Sequence, residues 1–148
     1  MINLSNHDVI QLASKLAKKI TIDSHIVDRP IRIYCIARGG IPIGYLLVGL
    51  ISNSVIVDSP SLADIFVDDL IDSGATQERY TKYNKPFYVL IDKRTDEEYQ
   101  DWITFPFERS DEETPVIDNL IRVEQYMEES SEEEFQPIRN KMLEILGK

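Results

Sequence analysis

Ile65-Phe66-Val67-Asp68-Asp69-Leu70-Ile71-Asp72-Ser73-Gly74-Ala75-Thr76 is the stretch on which the fold turns. Ala63 to Val67 is wholly apolar apart from Asp64 and stops abruptly at two acids, the pattern of a short buried strand. Ser73-Gly74-Ala75-Thr76 is a turn of small residues that opens a short helix to about Tyr83. Pro86 to Ile91 follows as another apolar strand, ending at Asp92-Lys93. Upstream, Ile31 to Ala37 is a strand with apolar character on both faces, broken by Arg38-Gly39-Gly40. Ile41 to Leu50 is apolar enough for a buried helix, and Ser54 to Val57 is a short strand. An N-terminal helix capped by Asn6 or Asp8 runs to about Lys19, with Ile10, Leu12, Leu16 and Ile20 near helical spacing. Strands alternating with helices predict an α/β fold with a parallel sheet and right-handed crossovers.

In such sheets ligands gather at the carboxyl ends of the strands. Arg38-Gly39-Gly40, Asp68-Asp69 to Thr76 and Asp92-Lys93 all fall there, so three polar loops converge on one site. The turn from Ser73 to Thr76 offers backbone N–H groups and two hydroxyls, a cradle for a phosphate dianion. Paired carboxylates beside a phosphate make sense only if they grip something neutral or cationic, such as ribose hydroxyls or Mg²⁺. Asp72 then lies beside the sugar, placed to handle a proton.

Composition narrows the function classes. The chain has 148 residues, enough for one ordinary domain, with 43% hydrophobic and 28% charged residues. A formal charge of -10 disfavours nucleic acid and anionic membranes as partners. Cys35 is the single cysteine, which excludes an intrachain disulfide and a CxxC metal site. It reads as a buried mid-strand residue, and His7 and His25 lack partners at ligand spacing. No apolar run approaches the roughly 20 residues of a membrane span. The polar start MINLSNHDVI does not look like a secretion signal, so a cytoplasmic location is expected.

The central segment resembles the PRPP-binding motif of type I phosphoribosyltransferases: two acids, two apolar residues, an acid, then Ser/Thr-Gly-x-Thr. Ala37-Arg38-Gly39-Gly40 looks like that family's pyrophosphate loop, and Lys93 matches the lysine that reads the exocyclic oxygen of a 6-oxopurine. Asp101-Trp102-Ile103-Thr104-Phe105-Pro106-Phe107-Glu108 is similar to the base-reading segment of bacterial xanthine–guanine enzymes, in which an aromatic ring stacks on the purine and backbone groups read its edge. The resemblance covers about residues 5 to 109. It implies a parallel-sheet phosphoribosyltransferase-like domain over 1–109 and transfer of a phosphoribosyl group from PRPP to guanine, xanthine or hypoxanthine, with release of pyrophosphate. It implies Mg²⁺ as cofactor and a homodimer or homotetramer as the assembly. It also implies roles: Asp68 and Asp69 on the ribose and the metal, with Asp69 as the metal partner; Asp72 on the purine proton or the cationic sugar; Arg38 on pyrophosphate. Ser73, Gly74, Ala75 and Thr76, together with Ala37, Gly39 and Gly40, would bind phosphates; Lys93, Trp102 and Ile103 would bind the base.

Two departures go with the resemblance. Active family members carry a long loop before the PRPP strand that closes over the site. Here only Asp58-Ser59-Pro60-Ser61-Leu62 separates Val57 from Ala63, too short for a lid. A non-catalytic PRPP- or nucleotide-binding module on the same fold is therefore the alternative. Arg94 to Asp101 also leaves no room for an additional long strand. Simpler readings stand beside each residue: Asp68-Asp69 as a solvated or capping pair or the acids of a phosphoacceptor receiver domain, Arg38 as a surface cation, Lys93 as a solvated strand-end lysine, and Trp102 as core. Residues 110–148 form an acidic helical appendix in this scheme. From Glu108 to Lys148 there are twelve acidic and five basic residues, and Val116, Leu120, Val123 and Met127 share one helical face, as Phe135, Ile138, Met142, Ile145 and Leu146 do after the glutamate run.

Overall fold

Ile33, Phe66, Val67 and Ile91 have no exposed surface. Such residues are the reason four short strands lie side by side with both faces covered. In the computed structural model, which describes residues 1–37 and 39–106, the elements in chain order are β1 (Ile2–Asn3), α1 (Asn6–Asp23), β2 (Ile31–Cys35), α2 (Gly40–Leu50), β3 (Ser54–Ile56), β4 (Ile65–Ile71), α3 (Ala75–Arg79), β5 (Phe87–Asp92) and β6 (Ile103–Thr104). The main sheet has the order β3-β2-β4-β5, all parallel. The expected parallel-sheet α/β architecture is therefore what forms.

The main core lies between this sheet and the two long helices. Val9, Ala13 and Ile20 of α1 and Ile43, Leu46 and Leu47 of α2 pack on Ile33, Val67 and Ile91. The helix α1 is capped by Ser5, one residue before the expected start. Its hydroxyl accepts the Asp8 N–H at 3.1 Å, while Asp8 accepts the Ser5 N–H at 2.8 Å. Asp8 thus closes a capping box and is not the cap itself. On the opposite face Phe66 is packed edge-on against Tyr83 at 5.6 Å and lies 5.3 Å from Tyr80. Tyr34 and Phe87 complete this cluster. It matters for the site, because Tyr80 and Tyr83 follow α3 directly and fasten that short helix to the sheet.

Two expectations need correcting. The strand carrying the paired acids does not stop at them. It runs through Asp68 and Asp69 to Ile71, because β5 offers partners along its whole length: Asp68 opposite Val89, Leu70 opposite Ile91 and Ile71 opposite Asp92. The helix expected from Ser73 to Tyr83 is two pieces, α3 and a 3₁₀ turn over Thr81–Tyr83 that ends at Asn84 with φ of 52°. A second, two-stranded sheet went unread in the sequence: β1 pairs in parallel with β6, Ile2 opposite Ile103 and Asn3 opposite Thr104. Two-residue strands carry no periodicity to detect. The base end of β4 is fixed by Asp64. This residue accepts both Arg29 guanidinium nitrogens, at 2.7 and 2.8 Å, and the Arg32 N–H at 2.8 Å, so its carboxyl is held well below the usual range. The acidic appendix of 110–148, the end of the 1–109 domain after Pro106, and Arg38 lie outside the described residues.

Candidate functional site

The carboxyl end of β4 is where the backbone becomes crowded. Gly39 and Gly40 enter α2 directly against it. A methyl group on Gly40 would collide with the Val67 carbonyl oxygen and lie 3.1 Å from the Asp68 Cα, both backbone atoms that cannot step aside. At Gly39 a side chain would run into the Asp69 carboxylate. Gly40 is thus required by close approach, and the two glycines bring the first loop onto the acids of the second. We expect Gly40→Ala to destabilise the protein by about 1–3 kcal/mol in urea unfolding, the ordinary cost of overpacking. A fully stable variant would show that the two loops are not in contact.

Asp68 is 8% exposed. Its Oδ1 accepts the Asp69 N–H at 2.8 Å. Burial first, and then the neighbouring Asp69 charge, push its pKa up to about 8. Asp69 is half-buried, and its Oδ1 accepts the Leu70 N–H at 2.7 Å. A solvated or capping pair would show neither this burial nor this crowding, so that plain reading of Asp68-Asp69 fails.

From these acids the wall of a cleft of about 230 Å³ continues without a break through Leu70, Ile71, Asp72, Ser73, Gly74, Ala75, Thr76 and Gln77. Phe87 also lines it. Asp72 and Ser73 are exposed, and among the described residues no hydrogen bond engages the Asp72 carboxylate. The Ser73 hydroxyl accepts the Ala75 N–H at 3.3 Å, tightening the turn. Gly74 has φ of 93°, a left-handed conformation that favours glycine. The motif is therefore one continuous concave surface: carboxylates at one end, hydroxyls and small-residue backbone at the other.

Lys93, Trp102 and Ile103 do not line this cleft. They form a second group beside it. The Lys93 N–H donates to the Ile71 carbonyl at 2.8 Å, and its Nζ donates to the Asp101 carbonyl at 3.0 Å. Trp102 is next along the chain and is 67% exposed, so it is not a core residue. The Ile103 side chain is buried in the core, leaving only its backbone for a ligand. Ala37 is exposed beside Gly39. Cys35 is inert by this geometry: its sulfur packs against Gly44, and burial pushes the thiol up to about 12.

One residue at the site went unread. Arg94 reaches from the end of β5 to the small-residue turn. Its Nε and Nη2 donate to Asp92 at 3.0 Å each, and Nη2 also donates to the Gln77 Oε1 at 3.2 Å. Its signal in the sequence was faint, a cation one residue past Lys93.

The parallel α/β domain, with its strands in the order β3-β2-β4-β5, has a phosphoribosyltransferase-like fold. One comparison with a solved structure carries this assignment. A purine phosphoribosyltransferase from Pyrococcus horikoshii Ot3 is matched over 74% of this chain and 95% of that one, with a TM-score of 0.53 at 18% identity. An HGPRT-ase from Leishmania tarentolae in complex with GMP is matched over 68% of this chain and 75% of that one, with a TM-score of 0.46 at 22% identity. No protein-family model and no curated protein matches the sequence.

Proposed function

We propose that the protein is a purine phosphoribosyltransferase that moves the 5-phosphoribosyl group of PRPP to a 6-oxopurine, releasing pyrophosphate. The observation that carries this reading is the continuity of the cleft. Paired aspartates, Asp72 and the Ser73–Thr76 turn line one cavity sized for a pentose phosphate, with the Gly39-Gly40 loop packed on its acidic end. The Pyrococcus protein of similar fold is a purine phosphoribosyltransferase by name, which is consistent with it.

The chemistry follows from the arrangement. The turn holds the 5′-phosphate through N–H groups and hydroxyls. Asp68 and Asp69 accept hydrogen bonds from the ribose hydroxyls. A purine nitrogen attacks C1 of the ribose as the C1–oxygen bond to pyrophosphate breaks, through a sugar with oxocarbenium character. Asp72, on the open face of the cleft, takes the proton the purine loses or steadies the positive sugar. Lys93 selects the exocyclic oxygen, and Trp102 offers an exposed ring for stacking. Arg38, outside the described residues, has its proposed role on the departing pyrophosphate.

Mg²⁺ fits the donor set. Magnesium sites on phosphates use one or two protein carboxylates and leave the rest to substrate and water. Asp69, with Asp68 beside it, supplies that number. Among the described residues no group of three or more His, Cys, Asp or Glu side chains gathers into a cage of its own. When bound, the ion would neutralise charge on the pyrophosphate end.

The short connection from β3 to β4 favours the second reading, a module that binds PRPP or a nucleotide without turnover. Pro60–Leu62 is a single 3₁₀ turn, with no length for a closing loop. Incubating the full chain with PRPP, Mg²⁺ and guanine, hypoxanthine or xanthine separates the two. Pyrophosphate release with at least one base is the expected result. Tight PRPP or GMP binding with no pyrophosphate from any base selects the binding module. Absence of both binding and turnover ends both readings.

A further inference from the structure

We infer that Arg94, at the border of the cleft against Gly74, is the side-chain cation for its phosphate end, held by Asp92 and Gln77 for a phosphate monoester dianion on the Ser73–Thr76 turn. This rests on the reading of that turn given above and assigns it a residue from outside the motif. The need is electrostatic. Asp69 and Asp72 line the same cleft, and a dianion entering it meets their charge. Backbone N–H groups and hydroxyls supply dipoles but no balancing charge.

Arg94 is the cation that the described structure brings to the turn. Its Nη1 would lie 2.9 Å from a methyl group built on Gly74, so the guanidinium stands directly over the turn. Its other nitrogens are already used: Nε and Nη2 on Asp92, and Nη2 on Gln77. Among the described residues nothing accepts from Nη1. A planar fork fixed on one edge and open on the other is suited to bidentate or shared contact with phosphate oxygens. Arg94 and Asp92 line the neighbouring pocket, and Gln77 lines both that pocket and the cleft, so it ties the guanidinium to the first turn of α3 at the border between them. Asp92 acts here as a positioning residue. The plainer reading is a strand-end ion pair, since the side chain is 44% exposed. That reading gives no use to Nη1, which lies against Gly74 with no acceptor among the described residues.

The test uses the full chain and isothermal titration with GMP, in parallel with PRPP and Mg²⁺. Phosphate gains its second charge near pH 6, so wild-type GMP affinity should rise between about pH 5 and 7. Arg94→Gln should weaken GMP roughly tenfold to a hundredfold at pH 7, the usual worth of hydrogen bonds to a charged group, and flatten that rise. Arg94→Lys should recover part of the loss. Arg94→Met, which keeps the apolar stem, replaces Arg94→Gln if the latter fails to fold. A merely structural arginine would lower the melting temperature without touching the pH profile. Wild-type binding with GMP affinity and pH profile unchanged in Arg94→Gln overturns this inference alone. A wild-type protein that binds neither GMP nor PRPP overturns it together with the reading it rests on.

Discussion

Asp72→Asn is expected to lower the turnover number with PRPP and a 6-oxopurine by about 10²–10⁴, the range lost when a positioned general base is removed. The substitution is close to isosteric, so it changes chemistry more than shape. Asp72 follows β4 immediately, after Ile71 has paired with Asp92, and so stands on a rigid strand end in the open part of the cleft. No hydrogen bond among the described residues occupies its carboxylate, which leaves it able to accept a proton from a base nitrogen. An amide cannot do so. Affinity for PRPP should change little, because the phosphate turn and the two preceding acids are untouched. Steady-state pyrophosphate release together with titration of PRPP gives both quantities. Unchanged turnover would remove Asp72 from the mechanism, and a matched loss of binding would recast it as a ribose ligand.

The sheet was legible because its strands are nearly uniform runs of β-branched and aromatic residues between glycine and acid breaks. Ile31–Cys35 and Phe87–Asp92 need no more than that. The length of β4 was not legible, since two aspartates mid-strand look like a stop. Only the neighbouring strand, supplying partners as far as Asp92, explains why they are held in the ladder. The motif residues from Asp68 to Thr76 were readable because their types and order are a local property, and the cleft follows that order. Arg94 was not, because its contribution comes from a contact 17 residues away in sequence, with Gln77. Likewise the base-side group depends on a two-residue strand, Ile103–Thr104, paired with the N-terminal Ile2–Asn3. A pairing that bridges a hundred residues leaves no periodic trace in either segment.

Asp68→Asn should make the protein more stable at pH 8 and bind PRPP less well. The folded protein keeps the Asp68 proton up to about pH 8, whereas an aspartate in the unfolded chain titrates near its ordinary value of about 3.9. Between those two limits the folded state binds more protons than the unfolded one. The stability contributed by the protonated acid is therefore complete below about pH 4 and is lost as pH rises through 8. Asparagine has no proton to lose, so its stability should be flat over this window. The variant should exceed wild type by about 1–3 kcal/mol at pH 8, the usual cost of a buried polar group without full compensation, and the gap should close near pH 4. Urea unfolding at both values checks it. The same residue makes a prediction for binding. A cation or a ribose hydroxyl favours the carboxylate, so PRPP and Mg²⁺ should release a proton on binding and bind more tightly at pH 8 than at pH 6. A wild-type protein more stable than Asp68→Asn at pH 8 would mean that this carboxylate is satisfied where it stands. The result expected here is the opposite: a charge kept in a poor place for folding because the ligand needs it there.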